Sequence, residues 1–149
     1  MSIPYDSFTE AFLDKISEFE LSQLEDNIRT EMVDNYRKRA VSAFRKNCKV
    51  DLFTTGDDVE RVYDVDVSPE DAEELIDIIS EGMIVQWLKP YVYQADLLRN
   101  LMNTRDYTLY SPAELLLRVG NQHKAAQRDF IQMIREYSYN HGDLSDLHI

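Results

Sequence analysis

The side chains able to do chemistry are unevenly placed along the 149 residues. Residues 51–81 hold twelve acids and one base, Arg61, and so carry −11 of the chain's net charge of −12. Such a field repels nucleic acid, because against twelve acids it offers a single cation to displace counterions from phosphates. Acids that begin a helix are also stabilised there by its partial positive charge, so a solvated helix start accounts for part of the cluster. Asp64 and Asp66 have the spacing of a metal pair, but no further ligand set accompanies them in sequence. Carboxylate pairs for acid–base work are abundant only because the segment is acidic, and carry no specificity.

The remaining reactive residues are scattered. Cys48, the single cysteine, has Lys46 and Lys49 nearby, which lower a thiol's pKa. No histidine motif accompanies it, so a small residue at a helix end is the simpler account. His123 falls on the apolar side of its helix and reads as a core or interface histidine. His141 and His148 lie toward the C-terminal tail without a nearby cysteine, a poor metal pattern. Gly56, Gly82, Gly120 and Gly142 are isolated and form no phosphate loop. Arg37, Lys38, Arg39, Arg45, Lys46 and Lys49 make a modest basic cluster offset by neighbouring acids. No catalytic constellation emerges, no cofactor or metal is expected, and the residues favour a binding or assembly protein over an enzyme.

The elements that must position these groups are helical. A 149-residue chain with four Gly, four Pro and no possible internal disulfide suits one mainly α domain in a reducing compartment. The expected fold is an antiparallel bundle of four to five helices, near 5–16, 21–47, 69–89, 91–102 and 112–140. It carries a short acidic loop or β-hairpin excursion, with a turn at 54–57 and a strand near 61–66. Ser7 and Glu10 have capping-box spacing, as do Ser111 and Glu114. Met1 is followed by neither a basic nor an apolar leader pattern, and no apolar run approaches a membrane span. Assembly in the cytosol, with no membrane partner, is the expectation.

The organising stretch is 68–101. Ser68 is an N-cap with Pro69 at the first helical position. On a wheel of about 100° per residue, Ala72, Leu75, Ile76, Ile79, Met83 and Trp87 share one side. Glu70, Glu73, Glu74, Asp77 and Glu81 share the other, an acidic surface for docking or for lining a channel. From Gly82 onward the division disappears, and Ile84, Val85 and Leu88 occupy the sector the acids held. A helix apolar all round is covered all round. With surplus apolar surface, Ile84, Val85, Trp87 and Leu88 are expected to meet a second copy of the chain. Pro90 is expected to kink or end the element at Lys89. The last residues, 141–149, form an apolar tail whose Leu144, Leu147 and Ile149 suit docking.

Three stretches carry a resemblance. Asp71–Pro90 (DAEELIDIISEGMIVQWLKP), Leu101–Leu147 (LMNTRDYTLYSPAELLLRVGNQHKAAQRDFIQMIREYSYNHGDLSDL) and Glu25–Phe53 (EDNIRTEMVDNYRKRAVSAFRKNCKVDLF) look like a family of small helical proteins of tailed bacteriophages, encoded among the head-to-tail virion genes. The landmarks are the Tyr-containing helix ending in Phe44, the Trp87-Leu88-Lys89-Pro90 box, Asp106-Tyr107 with Ser111, and Arg135–Tyr139. They are scaffold residues without a chemical signature. The resemblance implies a head-to-tail connector in the virion neck. Such adaptors form rings, typically of about twelve copies, between the portal protein and a downstream neck or tail-completion protein, extending the DNA channel without specific DNA binding. It implies that Leu144, Leu147 and Ile149 dock on the portal. The alternatives are an acidic helical inhibitor that mimics DNA and a small packaging or regulatory subunit.

Overall fold

A computed structural model describes residues 2–19, 21–25, 28–94 and 112–141. In chain order these form β1 (Ser2–Pro4), α1 (Tyr5–Ser17), α2 (Ser22–Glu25), α3 (Thr30–Asn47), β2 (Thr55–Asp57), β3 (Val62–Asp64), α4 (Pro69–Tyr93) and α5 (Pro112–His141). The chain is mainly helical, with a small antiparallel sheet beside the helices.

Helix α4 is the hub, packed against α5, α3 and α1. Its start follows the sequence: Ser68 Oγ accepts from the Asp71 amide at 3.2 Å, and Pro69 takes the first turn. Ala72, Leu75, Ile79, Met83 and Trp87 are buried as the wheel requires. From Ile78 onward nearly every position is covered, including Ser80 and Gly82. Pro90 does not end the helix. It removes one amide donor, yet the Gln94 amide still reaches the Pro90 carbonyl at 2.8 Å and the added turn buries Tyr91.

Gly82 marks where three helices come closest. A Cβ there would lie 2.7 Å from Phe130 Cε1 and Cζ on α5 and 3.0 Å from Ala40 Cβ on α3. Phe130 is itself buried and cannot swing clear. Alanine gains up to about 1 kcal/mol of helix propensity over glycine, but overpacking costs about 1–3 kcal/mol. Gly82→Ala should therefore lower stability by about 1 kcal/mol or more, read as a lower urea midpoint at unchanged slope.

The 21–47 stretch is not one helix. Arg29 is extended (φ −120°, ψ 152°) between α2 and α3, so freedom from Gly and Pro does not suffice. Leu21 and Leu24 are fully buried, and the break lets them and the α3 stripe of Val33, Tyr36, Ala40, Val41 and Phe44 reach one core. Residues 26 and 27 lie outside the description.

The acidic excursion is a hairpin whose middle strand also pairs with the N-terminus, in the order β1-β3-β2. Ile3 and Gly56 both register with Tyr63. The turn lies later than 54–57: Asp57 Oδ1 accepts from the Val59 and Glu60 amides at 2.9 and 3.1 Å, and Arg61 closes it at φ 57°. Strand β1 runs straight into α1. Tyr5 N–H donates to the Arg61 carbonyl at 2.8 Å, so the sheet supplies a partner for the first turn. No side chain caps α1, and Ser7 and Glu10 lie inside it instead of forming its box. The Ser111–Glu114 box and the 91–102 helix beyond Gln94 fall largely outside the described residues.

Candidate functional site

The acidic face of α4 exists, but it is not a row of free carboxylates. Glu70, Glu73 and Asp77 are exposed, while Glu74 and Glu81 are half-buried. Lys15 reaches across from α1 to Asp77 Oδ1 at 2.7 Å and Glu81 Oε2 at 3.0 Å, and also donates to the Asp77 carbonyl. Half-buried itself, Lys15 divides the acidic face into a partly neutralised lower part and an open start. At that start, His141 from the end of α5 sits with Nε2 2.9 Å from Asp71 Oδ1. No local sequence pattern marks Lys15 or His141 as an acid partner, because both come from distant segments.

Between α1, α4 and α5 runs a groove of about 500 Å³. Glu18, Asp77, Glu81, Asp129 and Glu136 rim it around Lys15, and Phe19, Ile84 and Met133 supply apolar floor. The acidic character of this end of the molecule therefore extends beyond α4.

The expected subunit interface is overturned. Ile84 is 1% exposed, Val85 7%, and Trp87 and Leu88 0%. All four are covered by the chain's own core, so they offer no surface to a second copy. Trp87 lies edge-on to Phe12 at a centroid distance of 6.0 Å and stacks at 6.4 Å on Phe19. The cover that the apolar wheel requires comes from α1, α3 and α5. The tail residues Leu144, Leu147 and Ile149 lie outside the described residues.

The basic cluster on α3 is also broken up. Arg37 is 1% exposed, its guanidinium 3.7 Å from the Tyr5 ring centroid. It donates to Asp34 Oδ1 at 2.7 Å and to the Tyr63 hydroxyl at 3.3 Å. Asp34 is shared with Arg61, whose Nη2 lies 3.0 Å from the same oxygen. The Arg61 hydrogen bond, opposed by partial burial and aided by Arg37, holds the Asp34 carboxyl below its ordinary pKa of 3.8. This network joins the hairpin to α3 and α1, which is a structural task.

Cys48 is half-buried, and burial pushes its thiol up despite the neighbouring lysines. His123 is buried beside Tyr93, its Nε2 without a partner among the described residues. Burial first, and then the Lys89 charge, lower its pKa below 6.5. A depressed folded value means that this histidine's contribution is fully present above pH 6.5 and lost as pH falls toward the folded pKa, because the unfolded chain takes up the proton first. His123→Leu should thus show a shallower fall in Tm than the parent from about pH 6.5 downward, measured by thermal unfolding in matched buffers.

No described helix is long and apolar enough to cross a membrane. Compared with protein-family models, curated proteins and solved structures, the chain finds no match.

Proposed function

We propose that this chain is a structural virion protein of a phage neck, a connector that stands in a ring between portal and tail and extends the DNA channel. What carries the reading is the one-sided charge of a unit that closes its own core: Glu70 and Glu73 stand open at the start of α4, and the groove that Asp77 and Glu81 line further along it is rimmed with acids. Repeated around a ring, such a face becomes a band of like charge past which DNA slides without adhering. The family likeness of Glu25–Phe53, Asp71–Pro90 and Leu101–Leu147 supplies the place in the particle. Since Ile84, Val85, Trp87 and Leu88 are internal, copies in the ring meet through other surfaces. The tail bearing Leu144, Leu147 and Ile149 is the segment assigned to the portal.

The rival inhibitor reading needs an uninterrupted row of phosphate-like carboxylates, and the Lys15 ties to Asp77 and Glu81 interrupt it. The packaging-subunit reading needs the basic α3 face, which loses Arg37 to the core.

The test is to locate the chain in intact particles by imaging virions that carry a tag in the exposed 58–60 turn. A ring of tag density between portal and tail is expected, and Leu144→Asp with Leu147→Asp should remove the chain from particles. Absence of the parent chain from purified virions refutes the reading. Full incorporation of the double variant refutes the docking role of the tail.

A further inference from the structure

Where the end of α5 meets the first turns of α4, three ligand-type side chains converge. Asp71 and Glu74 are three residues apart on α4 and so share a face; His141 closes α5. One oxygen from each carboxylate and one imidazole nitrogen all lie within 4.8 Å of one another.

The imidazole is held in place from two sides. Its ring stacks on Tyr137 at a centroid distance of 4.0 Å and 15°, and Nδ1 lies 2.9 Å from the Tyr137 carbonyl oxygen. A carbonyl only accepts, so Nδ1 carries the hydrogen. Nε2 therefore faces the Asp71 carboxylate at 2.9 Å, and a carboxylate also only accepts. Something positive must occupy that junction, either a second proton or a metal ion. A histidine whose other nitrogen donates to a backbone carbonyl is oriented as metal-ligating histidines are.

We propose that Asp71, Glu74 and His141 bind one divalent transition-metal ion of the zinc class, tying the end of α5 to the start of α4. One imidazole with two carboxylates suits zinc. Magnesium and calcium prefer all-oxygen sets. Ligand atoms on a shared zinc stand about 3–3.5 Å apart, given bonds of about 2.0–2.2 Å. Asp71 and His141, at 2.9 Å, sit slightly inside that spacing and part a little to admit the ion, while half-buried Glu74, whose oxygen lies within 4.8 Å of theirs, closes toward it. The partial positive charge of the α4 N-terminus opposes a cation, but the −11 carried by residues 51–81 acts the other way. The fourth position is left to water, as in other three-ligand zinc sites.

A proton alone at the junction is the competing account. Burial lowers the His141 pKa, but the Tyr137 carbonyl, the Asp71 carboxylate and, last, the Glu74 charge outweigh burial and leave it raised. Glu74 separates the two: beside a protonated His141–Asp71 pair it acts only through its charge, whereas on a metal ion it is a direct ligand.

Calorimetric titration of the full chain, stripped with chelator, with zinc chloride and separately with magnesium chloride decides between them. The expected result is a single zinc ion per chain with micromolar affinity and no heat from magnesium at the same concentration. Glu74→Gln and His141→Ala should each weaken zinc binding by about tenfold or more, with helix content unchanged by circular dichroism, while His148→Ala binds as the parent does. Absence of zinc binding at about a hundred times that concentration overturns the proposal. So does binding that Glu74→Gln leaves intact, or that His148→Ala abolishes.

Discussion

Replacing Asp34 with alanine is expected to destabilise the chain by about 3–5 kcal/mol, more than replacing the arginine it serves. Arg37 is almost fully buried, and Asp34 is the one carboxylate paired with it among the described residues. Among the described residues, Asp34→Ala leaves a buried cation with the Tyr63 hydroxyl and the Tyr5 and Tyr63 rings as its remaining partners. Removing one member of a buried pair costs far more than the pair contributes, because the survivor keeps its desolvation penalty. Arg37→Met behaves differently. It fills much of the same space with apolar atoms, and Asp34 keeps its bond to Arg61 at 3.0 Å. A loss within about 1 kcal/mol is expected for that variant. Urea unfolding of the two variants at neutral pH reads the asymmetry directly. Equal losses would mean that the charge at Arg37 is reached by water.

The second large effect is Trp87→Ala, expected to cost about 3–5 kcal/mol. Trp87 is fully buried, and its ring joins α4 to Phe12 of α1 and to Phe19 just beyond it. Truncation opens a cavity between α4 and α1 that neither aromatic neighbour fills without leaving its own packing. The loss should appear in the monomer's own unfolding curve. If Trp87 instead served an interface between copies, the variant would change self-association and leave the stability of the isolated chain nearly intact.

These two sites show what a linear chain makes legible and what it hides. The α4 wheel correctly divided an exposed acidic start from an enclosed second half, because hydropathy periodicity records how many sides of a helix are covered. It does not record which body supplies the cover. Ile84, Val85, Trp87 and Leu88 are covered within the same chain: Phe12 of α1 lies on Trp87, and Ala40 of α3 and Phe130 of α5 close on α4 at Gly82. Arg37 read as surface charge for a similar reason. Its enclosure by Tyr5, Asp34 and Tyr63 exists only after the hairpin and the N-terminus pair. Strand β1 is three residues long, too short for any alternation to declare itself. Lys15 meets Asp77 across 62 positions, and His141 meets Asp71 across 70. No local pattern encodes either meeting. The Ser68 cap, the 62–64 strand and the long C-terminal helix were legible because their determinants are local.

A single copy buries the apolar half of α4 by itself, and any ring is built from surfaces that remain. The most direct measurement is the urea midpoint of the full chain across about a hundredfold range of protein concentration. A chain that completes its own core unfolds at one midpoint throughout that range, with the mass of a monomer, 17.5 kDa, before the transition. A midpoint that climbs with concentration, as mass action demands of a fold that exists only as an oligomer, contradicts it.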